Sequence, residues 1–314
     1  MKLNHNRIAV IFNPMGGSAS SGMIDKLAAA CTAHGIELVK VTTTADFGSA
    51  KKLAGEAVQT GMYDAVIACG GDGTACQVAE GLMGSGIPLA VYPAGTGNLF
   101  ARAFYASPVP TRFVDMIVHG QPQPLDMVRL TCTDTSGKEH QQLFLVATGF
   151  GKISDAISFA SARMKRIFGK FAYVARVAVA CVRPSPVRYT VTPLAADGSH
   201  SLHHKPMSYT ASAVFAFNAV PPSMLAMSRG CNASDGLLDV VAITADGFGS
   251  LLQIFTRLAT GRPDLSTHYR RVRAASLRID TSVPVTPNID GDPGVATQSL
   301  LLTVLPQAVQ IIVS

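Results

Sequence analysis

The chain has 314 residues, 48% of them apolar, with 26 Lys and Arg against 20 Asp and Glu for a formal net charge of +6. That length and apolar share exclude a disordered or fibrous chain and allow one large or two ordinary domains. The positive excess favours anionic partners without choosing among nucleotide, nucleic acid and acidic membrane.

The first third alternates strand and helix. Ile8 to Asn13 reads as strand, Met23 to His34 as helix, Ile36 to Thr43 as strand and Ala50 to Thr60 as helix. A strand then runs into Gly70, a helix covers Thr74 to Met83, and Pro88 to Tyr92 is a short strand. This alternation predicts a doubly wound α/β domain with a parallel sheet covered on both faces. After Gly120-Gln121-Pro122 short strands dominate: Leu125 to Thr133, Gln142 to Thr148, Val187 to Leu194, Tyr209 to Asn218 and Leu237 to Thr244. Ser276 to Thr281, Pro287 to Asp290, Leu300 to Leu305 and Ala308 to Val313 continue the pattern, which predicts an antiparallel β-sandwich or barrel. The expected domains are 1–122 and 123–314, with the final strands near 300–314 free to pair back across the boundary.

Three loops of small residues follow successive strands. Asn13-Pro14-Met15-Gly16-Gly17-Ser18 follows the first, Cys69-Gly70-Gly71-Asp72-Gly73-Thr74-Ala75 the third, and Pro93-Ala94-Gly95-Thr96-Gly97-Asn98 the fourth. Each alone could be an ordinary turn or linker, because Gly and Asp dominate turns for local reasons. Together, on one edge of an open parallel sheet, they point to a phosphate site. Bare backbone N–H groups at a helix start can approach a polyphosphate closely, and Asp72 adds a magnesium or hydrogen-bonding handle.

The six cysteines (Cys31, Cys69, Cys76, Cys132, Cys181 and Cys231) form no Cys-x-x-Cys pair and have no His at ligand spacing, so reduced thiols of a cytoplasmic protein are expected. The N-terminus has no apolar run of signal-peptide length. Phe171 to Val182 is too short to span a bilayer and contains Arg176, so any membrane contact is expected to be peripheral. From Ala156 to Ala196 there is no acid, while Arg163, Lys165, Arg166, Lys170, Arg176 and Arg183 alternate with apolar residues. That pattern, spanning roughly 163–188, fits either a solvated helix face or a segment that touches anionic lipid. The cluster His268-Tyr269-Arg270-Arg271-Val272-Arg273 lacks any nucleic-acid recognition motif and is expected to steer an anionic ligand.

The Walker lysine motif and the His-Arg-Asp catalytic loop are both absent. Gly70-Gly71-Asp72-Gly73-Thr74, Pro93-Ala94-Gly95-Thr96-Gly97-Asn98, Asp235-Gly236-Leu237-Leu238-Asp239 and Asn288-Ile289-Asp290-Gly291-Asp292, in that order, resemble the diacylglycerol kinase catalytic-domain family. That family includes soluble bacterial diacylglycerol kinases and sphingosine and ceramide kinases. The resemblance runs from Ile8 to near the C-terminus and takes in Phe144 to Gly151. It implies an ATP-binding α/β domain, a β-sandwich beside which lipid enters, and phosphoryl transfer to a lipid hydroxyl with Mg2+. Carried over residue by residue, ATP contacts fall on Asn13, Cys69, Gly70, Gly71, Asp72, Gly73, Thr74, Ala75, Gly95, Thr96 and Asn98, with Thr42 a weaker candidate. Asp290 becomes the general base, and Asp72 is expected to take part in catalysis beside it. A structural Mg2+ falls on the Asp235 carboxylate with the backbone oxygens of Asn232 and Leu237.

Two positions depart from the usual pattern. Leu99 stands where many bacterial members have Asp, and Asp292 replaces the usual Glu, one methylene longer. Two other readings compete: an NAD kinase, which shares Gly-Gly-Asp-Gly-Thr, and a non-catalytic binding protein of the same fold. The acceptor lipid is left open, as is a homodimer.

Overall fold

The computed structural model describes residues 6–17, 20–95, 97–104, 108–151, 187–195, 205–220, 227–244 and 247–313. The chain divides into two compact units, one formed by Met1–Asp126 with Pro306–Ser314 and the other by Met127–Leu305. The basic stretch from Ala156 to Arg183 and the loop residue Thr96 lie outside the described residues.

The first unit is a parallel sheet with helices on both faces, as the alternation predicts. Its strands are β1 (Arg7–Phe12), β2 (Glu37–Thr42), β3 (Ala65–Gly70) and β4 (Leu89–Pro93), in the order β2-β1-β3-β4. All six residues of β3 are buried, which is why the stretch reads as an unbroken apolar run rather than an alternation. Helices α1 (Ser21–Ala33) and α5 (Pro110–His119) pack together, while α2 (Ser49–Thr60) packs on α3 (Asp72–Leu82). Ser20 caps α1 by accepting the Met23 N–H at 3.3 Å. At the α2–α3 contact a Cβ on Gly81 would collide with the Lys51 carbonyl and approach Ala54 Cβ to 2.6 Å, so only glycine permits this spacing. A short helix α4 (Leu99–Phe104) follows the second glycine loop.

The second unit is a β-sandwich. One sheet has the order β12-β11-β10-β7-β14-β15, made of β7 (Ala147–Phe150), β10 (Ala213–Phe217), β11 (Leu238–Ile243), β12 (Tyr269–Ala274), β14 (Asn288–Ile289) and β15 (Asp292–Pro293). Opposite it lie β13 (Ser276–Val285), β8 (Val187–Leu194), β9 (Met207–Ala211), β6 (Glu139–Phe144) and parts of two long strands, β5 (Gln121–Asp134) and β16 (Thr297–Val313). Leu130, Phe144, Phe150, Val214, Val240, Leu277, Ile279 and Leu300 fill the space between the sheets. Helix α6 (Phe248–Ala259) is on the other side of the first sheet, with Ile254 packed against Phe215 and Tyr269.

Two expectations from the sequence change. The stretch Tyr209 to Asn218 is two strands rather than one, because Ser212 is a corner where the chain leaves β8's partner β9 and enters the opposite sheet as β10. The stretches Leu300 to Leu305 and Ala308 to Val313 are instead one strand, β16. Its first half pairs with β13 in the second unit and its end pairs with β4 in the first, through Ile311 and Leu89. The strand bends at Gln307, whose left-handed φ of 50° is held by its N–H donating to the buried Asp126 carboxylate at 2.7 Å.

Candidate functional site

In the first unit the register pairs Phe12 with Cys69 and Cys69 with Tyr92, so the loops after β1, β3 and β4 leave the sheet at one edge. Gly71 is the extended residue before α3, and the first bond of that helix runs from the Ala75 N–H to the Gly71 carbonyl at 3.0 Å. The first-turn amides of a helix have no carbonyl four residues back to bond and therefore direct partial positive charge outward. The two glycine loops touch backbone to backbone: a Cβ on Gly95 would be driven into the Gly71 Cα and would come within 2.9 Å of Asn98 Oδ1. A Cβ on Gly70 would fall 2.5 Å from Thr74 Oγ1. Gly70 and Gly95 are required by crowding, whatever else they do, whereas a Cβ on Gly71 would only touch the Gly95 Cα at 3.5 Å.

Side chains around the loops hold shape. Asn13 Nδ2 donates to Thr74 Oγ1 at 2.9 Å, while Asn13 Oδ1 accepts the Met15 N–H at 3.0 Å, tying the first loop to the start of α3. Asn98, in a left-handed conformation at φ 50°, clamps Gly95: its Oδ1 accepts the Gly95 N–H at 2.9 Å and its Nδ2 donates to the Gly95 carbonyl at 2.8 Å. Asp72 Oδ1 accepts the Phe100 N–H at 2.9 Å, so this carboxylate caps the start of α4. Cys69 is buried, and burial pushes its thiol up to about 12, against a smaller opposing effect of Lys40. It offers only backbone to a ligand. Ala75 is buried, Gly73 lies in the first turn of α3, and Thr42 is exposed at the end of β2.

Asp290 belongs to the second unit. It opens the two-residue turn of the β14–β15 hairpin, where Ile289 faces Asp292, and both turn residues have positive φ, 49° for Asp290 and 103° for Gly291. That is the backbone an Asp-Gly hairpin turn adopts. The carboxylate, 8% exposed, gathers three consecutive amides: Oδ2 accepts from Leu145 at 2.7 Å, and Oδ1 accepts from Val146 and Ala147 at 2.9 Å each. From the other side Asn218 Nδ2 donates to the Leu145 carbonyl at 2.8 Å. The segment 145–147 is thus gripped through its amides and its carbonyl by two buried polar residues. Asp292 is exposed, yet the protein around its carboxyl raises its pKa by desolvation. A cavity of about 180 Å3 beneath this hairpin, lined by Leu130, Cys132, His140 and Ile289, is too small for a long acyl chain.

The carboxylate expected to hold a structural cation is engaged otherwise. Asp235 Oδ1 accepts the Leu237 N–H at 3.0 Å, and its Oδ2 pairs with the Arg273 guanidinium. Arg273 also reaches Asp239, which is fully buried and bonded by Arg271 Nε at 2.8 Å. A resident Mg2+ would have to displace a guanidinium from the only carboxylate in its donor set, so these residues do not fit the ion as they stand. Among the described residues no group of three or more His, Cys, Asp or Glu could hold a metal. The same pairs neutralise two of the three arginines of the His268–Arg273 cluster.

Residues 7–130 match the family model for the diacylglycerol kinase catalytic domain, and residues 146–313 match that for the YegS C-terminal NAD kinase beta sandwich-like domain. The second match covers more than half of the chain, which belongs to the family with this YegS-type C-terminal domain, here preceded by a diacylglycerol kinase catalytic domain, and it is a kinase. It is 29% identical over 259 residues to a diacylglycerol kinase of Mycobacterium tuberculosis, covering 81% of this chain and 79% of that one. It is 26% identical over 263 residues to the "Probable lipid kinase YegS-like" of Alcanivorax borkumensis, covering 81% and 80%. A crystal structure of a diacylglycerol kinase from Bacillus anthracis shares the fold, with a TM-score of 0.68 at 18% identity, covering 100% of this chain and 98% of that one. Yeast NADH kinase shares it more distantly, with a TM-score of 0.53 at 11% identity, covering 99% and 84%. Among the described residues no helix is long and apolar enough to cross a membrane.

Proposed function

We propose that the protein transfers the γ-phosphoryl group of ATP to the hydroxyl of a lipid at a membrane surface, the acceptor being diacylglycerol, ceramide or a sphingoid base. The observation that carries the nucleotide half of this reading is the backbone contact of Gly71 with Gly95 at the start of α3, which keeps side chains away from where phosphates would lie. ATP enters as its magnesium complex. The acceptor half rests on family membership, on the names of the relatives, and on the acid-free basic sequence from Ala156 to Ala196. Asp290 takes the acceptor proton as the lipid oxygen attacks the γ-phosphorus and the bond to the β-phosphate oxygen breaks, releasing ADP. Nothing else in the reaction has to form a covalent bond to the protein.

The test is transfer of labelled phosphate from ATP to a panel of lipids in mixed micelles, with NAD included, for the unaltered protein and for Asp290→Asn. The expected result is one labelled lipid, with turnover reduced about 10²- to 10⁴-fold in the variant. Labelled NAD would overturn the lipid assignment. Absence of transfer with ATP binding intact would make the protein a binding module. Because Asp290 also holds three amides, the thermal midpoint is read alongside. A variant that keeps its midpoint and loses turnover supports the base; one that loses both in proportion assigns Asp290 to holding the segment 145–147.

A further inference from the structure

We infer that Asn218 is a positioning residue for Asp290, fixing and polarising the amides that grip its carboxylate; the inference rests on the reading of Asp290 as the base that takes the acceptor's proton. Asn218 follows β10 directly and is fully buried, and Asp290 is 8% exposed. Both reach the same three residues, Leu145, Val146 and Ala147, where the chain passes from β6 into β7. The Asn218 side chain donates to the Leu145 carbonyl at 2.8 Å, and its backbone N–H donates to the Val146 carbonyl at 2.9 Å, joined there by the Ala219 N–H at 3.1 Å. Asp290 closes the set: its backbone N–H donates to the Ala147 carbonyl at 2.9 Å while its carboxylate accepts all three N–H groups. Every N–H and C=O of these three residues is thus taken by Asn218, Ala219 or Asp290.

A carbonyl and the N–H of the following residue belong to one planar, resonance-coupled group. The Leu145 carbonyl bonded by Asn218 Nδ2 therefore shares a peptide group with the Val146 N–H, which meets Asp290 Oδ1 at 2.9 Å. The Val146 carbonyl bonded by the Asn218 N–H shares one with the Ala147 N–H, which meets the same oxygen at 2.9 Å. Both amide bonds to Oδ1 are relayed from Asn218. A donor on a carbonyl oxygen draws charge through the peptide and makes its N–H a stronger donor, by on the order of 10–30% per bond. Burial by itself disfavours a charged carboxylate, and hydrogen bonds to the ionised form oppose that penalty. Asn218 therefore serves a base in two ways: it fixes the plane in which the carboxylate lies, and it favours the charged form that can accept a proton. In this role it acts only through the two peptide groups.

The experiment is steady-state transfer from ATP to whichever of diacylglycerol, ceramide and a sphingoid base in mixed micelles the unaltered protein labels, run on that protein, Asn218→Leu, Asp290→Asn and the double variant. Asn218→Leu should lower kcat about tenfold to a hundredfold with KM for ATP and lipid unchanged. In the Asp290→Asn background it should lower kcat no further, because a residue that acts through Asp290 then has no base to position. Thr297→Val removes a different buried donor, the one on the Thr133 carbonyl at 2.7 Å, and should lower the thermal midpoint while keeping kcat. An unchanged kcat in Asn218→Leu, an equal loss in both backgrounds, or an equal loss in Thr297→Val overturns the inference and leaves Asp290 standing as the base. Should Asn218→Leu not fold, Asn218→Ser, which leaves room for a water on the Leu145 carbonyl, carries the same expectations with a smaller loss, and the same outcomes overturn them. Full turnover by Asp290→Asn, or no transfer by the unaltered protein, overturns the reading of Asp290 as base and the inference with it.

Discussion

The glycine loops of the first unit and the Asp290 hairpin of the second reach fixed geometry by opposite means. In the first, Gly95 specifies the site by what it lacks, because a Cβ there would drive its backbone away from that of Gly71. In the second, one side chain does the fixing, with Asp290 drawing the amides of Leu145, Val146 and Ala147 onto a single carboxylate. Asp134 repeats the device on a smaller scale, its Oδ1 accepting the N–H groups of Ser136 and Lys138. Sites of the first kind leave backbone bare for a ligand. Sites of the second kind consume it, so a carboxylate in such a motif carries a structural duty along with any chemical one.

The sharpest way to break this comparison is Gly95→Ala. A methyl group at that position should force the two loops apart, costing about 1–3 kcal/mol of stability and more than tenfold in ATP affinity. Calorimetric binding beside a thermal melt measures both. An unchanged affinity would mean the loop contact does not shape the ligand site.

Next in size is Arg273→Ala, which removes the cation shared by Asp235 and Asp239. Loss of the charged hydrogen bond to Asp235 and of the ion pair with Asp239 should cost about 1.5–3 kcal/mol, partly offset by Arg271, which stays on Asp239. Thermal melts with and without Mg2+ should show the unaltered protein indifferent to the ion and the variant partly restored by it. A melt of the unaltered protein that drops on adding EDTA would show that a metal holds this loop despite the guanidinium.

The smallest effect concerns Asp134. Hydrogen bonds from Ser136, then His140, then the backbone hold its carboxyl well below the usual carboxylate range. A carboxylate depressed in the folded state contributes stability above its unfolded pKa and loses it as pH falls below about 4. Asp134→Asn should therefore melt slightly lower at neutral pH and show a shallower decline on acidification, measured as the midpoint against pH.

Much of the first unit was legible because its signals are local. Strand and helix alternate in step with apolar periodicity, and Gly70-Gly71-Asp72-Gly73-Thr74 marks the strand-to-helix turn within five residues. The β-sandwich was legible as a class. Its details were not, because Ser212 turns a corner between sheets and Gln307 merely bends a strand, and both are decided by partners distant in sequence, Ile243 and Asp126. Pro287 to Asp290 reads as strand in the sequence, whereas the structure keeps only Asn288–Ile289 as strand and turns the chain at Asp290 and Gly291.

The sequence by itself determined the α/β order, the sandwich, the glycine loops and the motifs that mark the family, since each depends on neighbours within a few positions along the chain. Only the tertiary structure decided that Asp72 caps α4, that Arg273 takes the Asp235 carboxylate, and that Asp290 binds the amides of residues 145–147. In each case the partner is tens of residues or more away, and a polar side chain's role is set by which group the fold brings within reach of it.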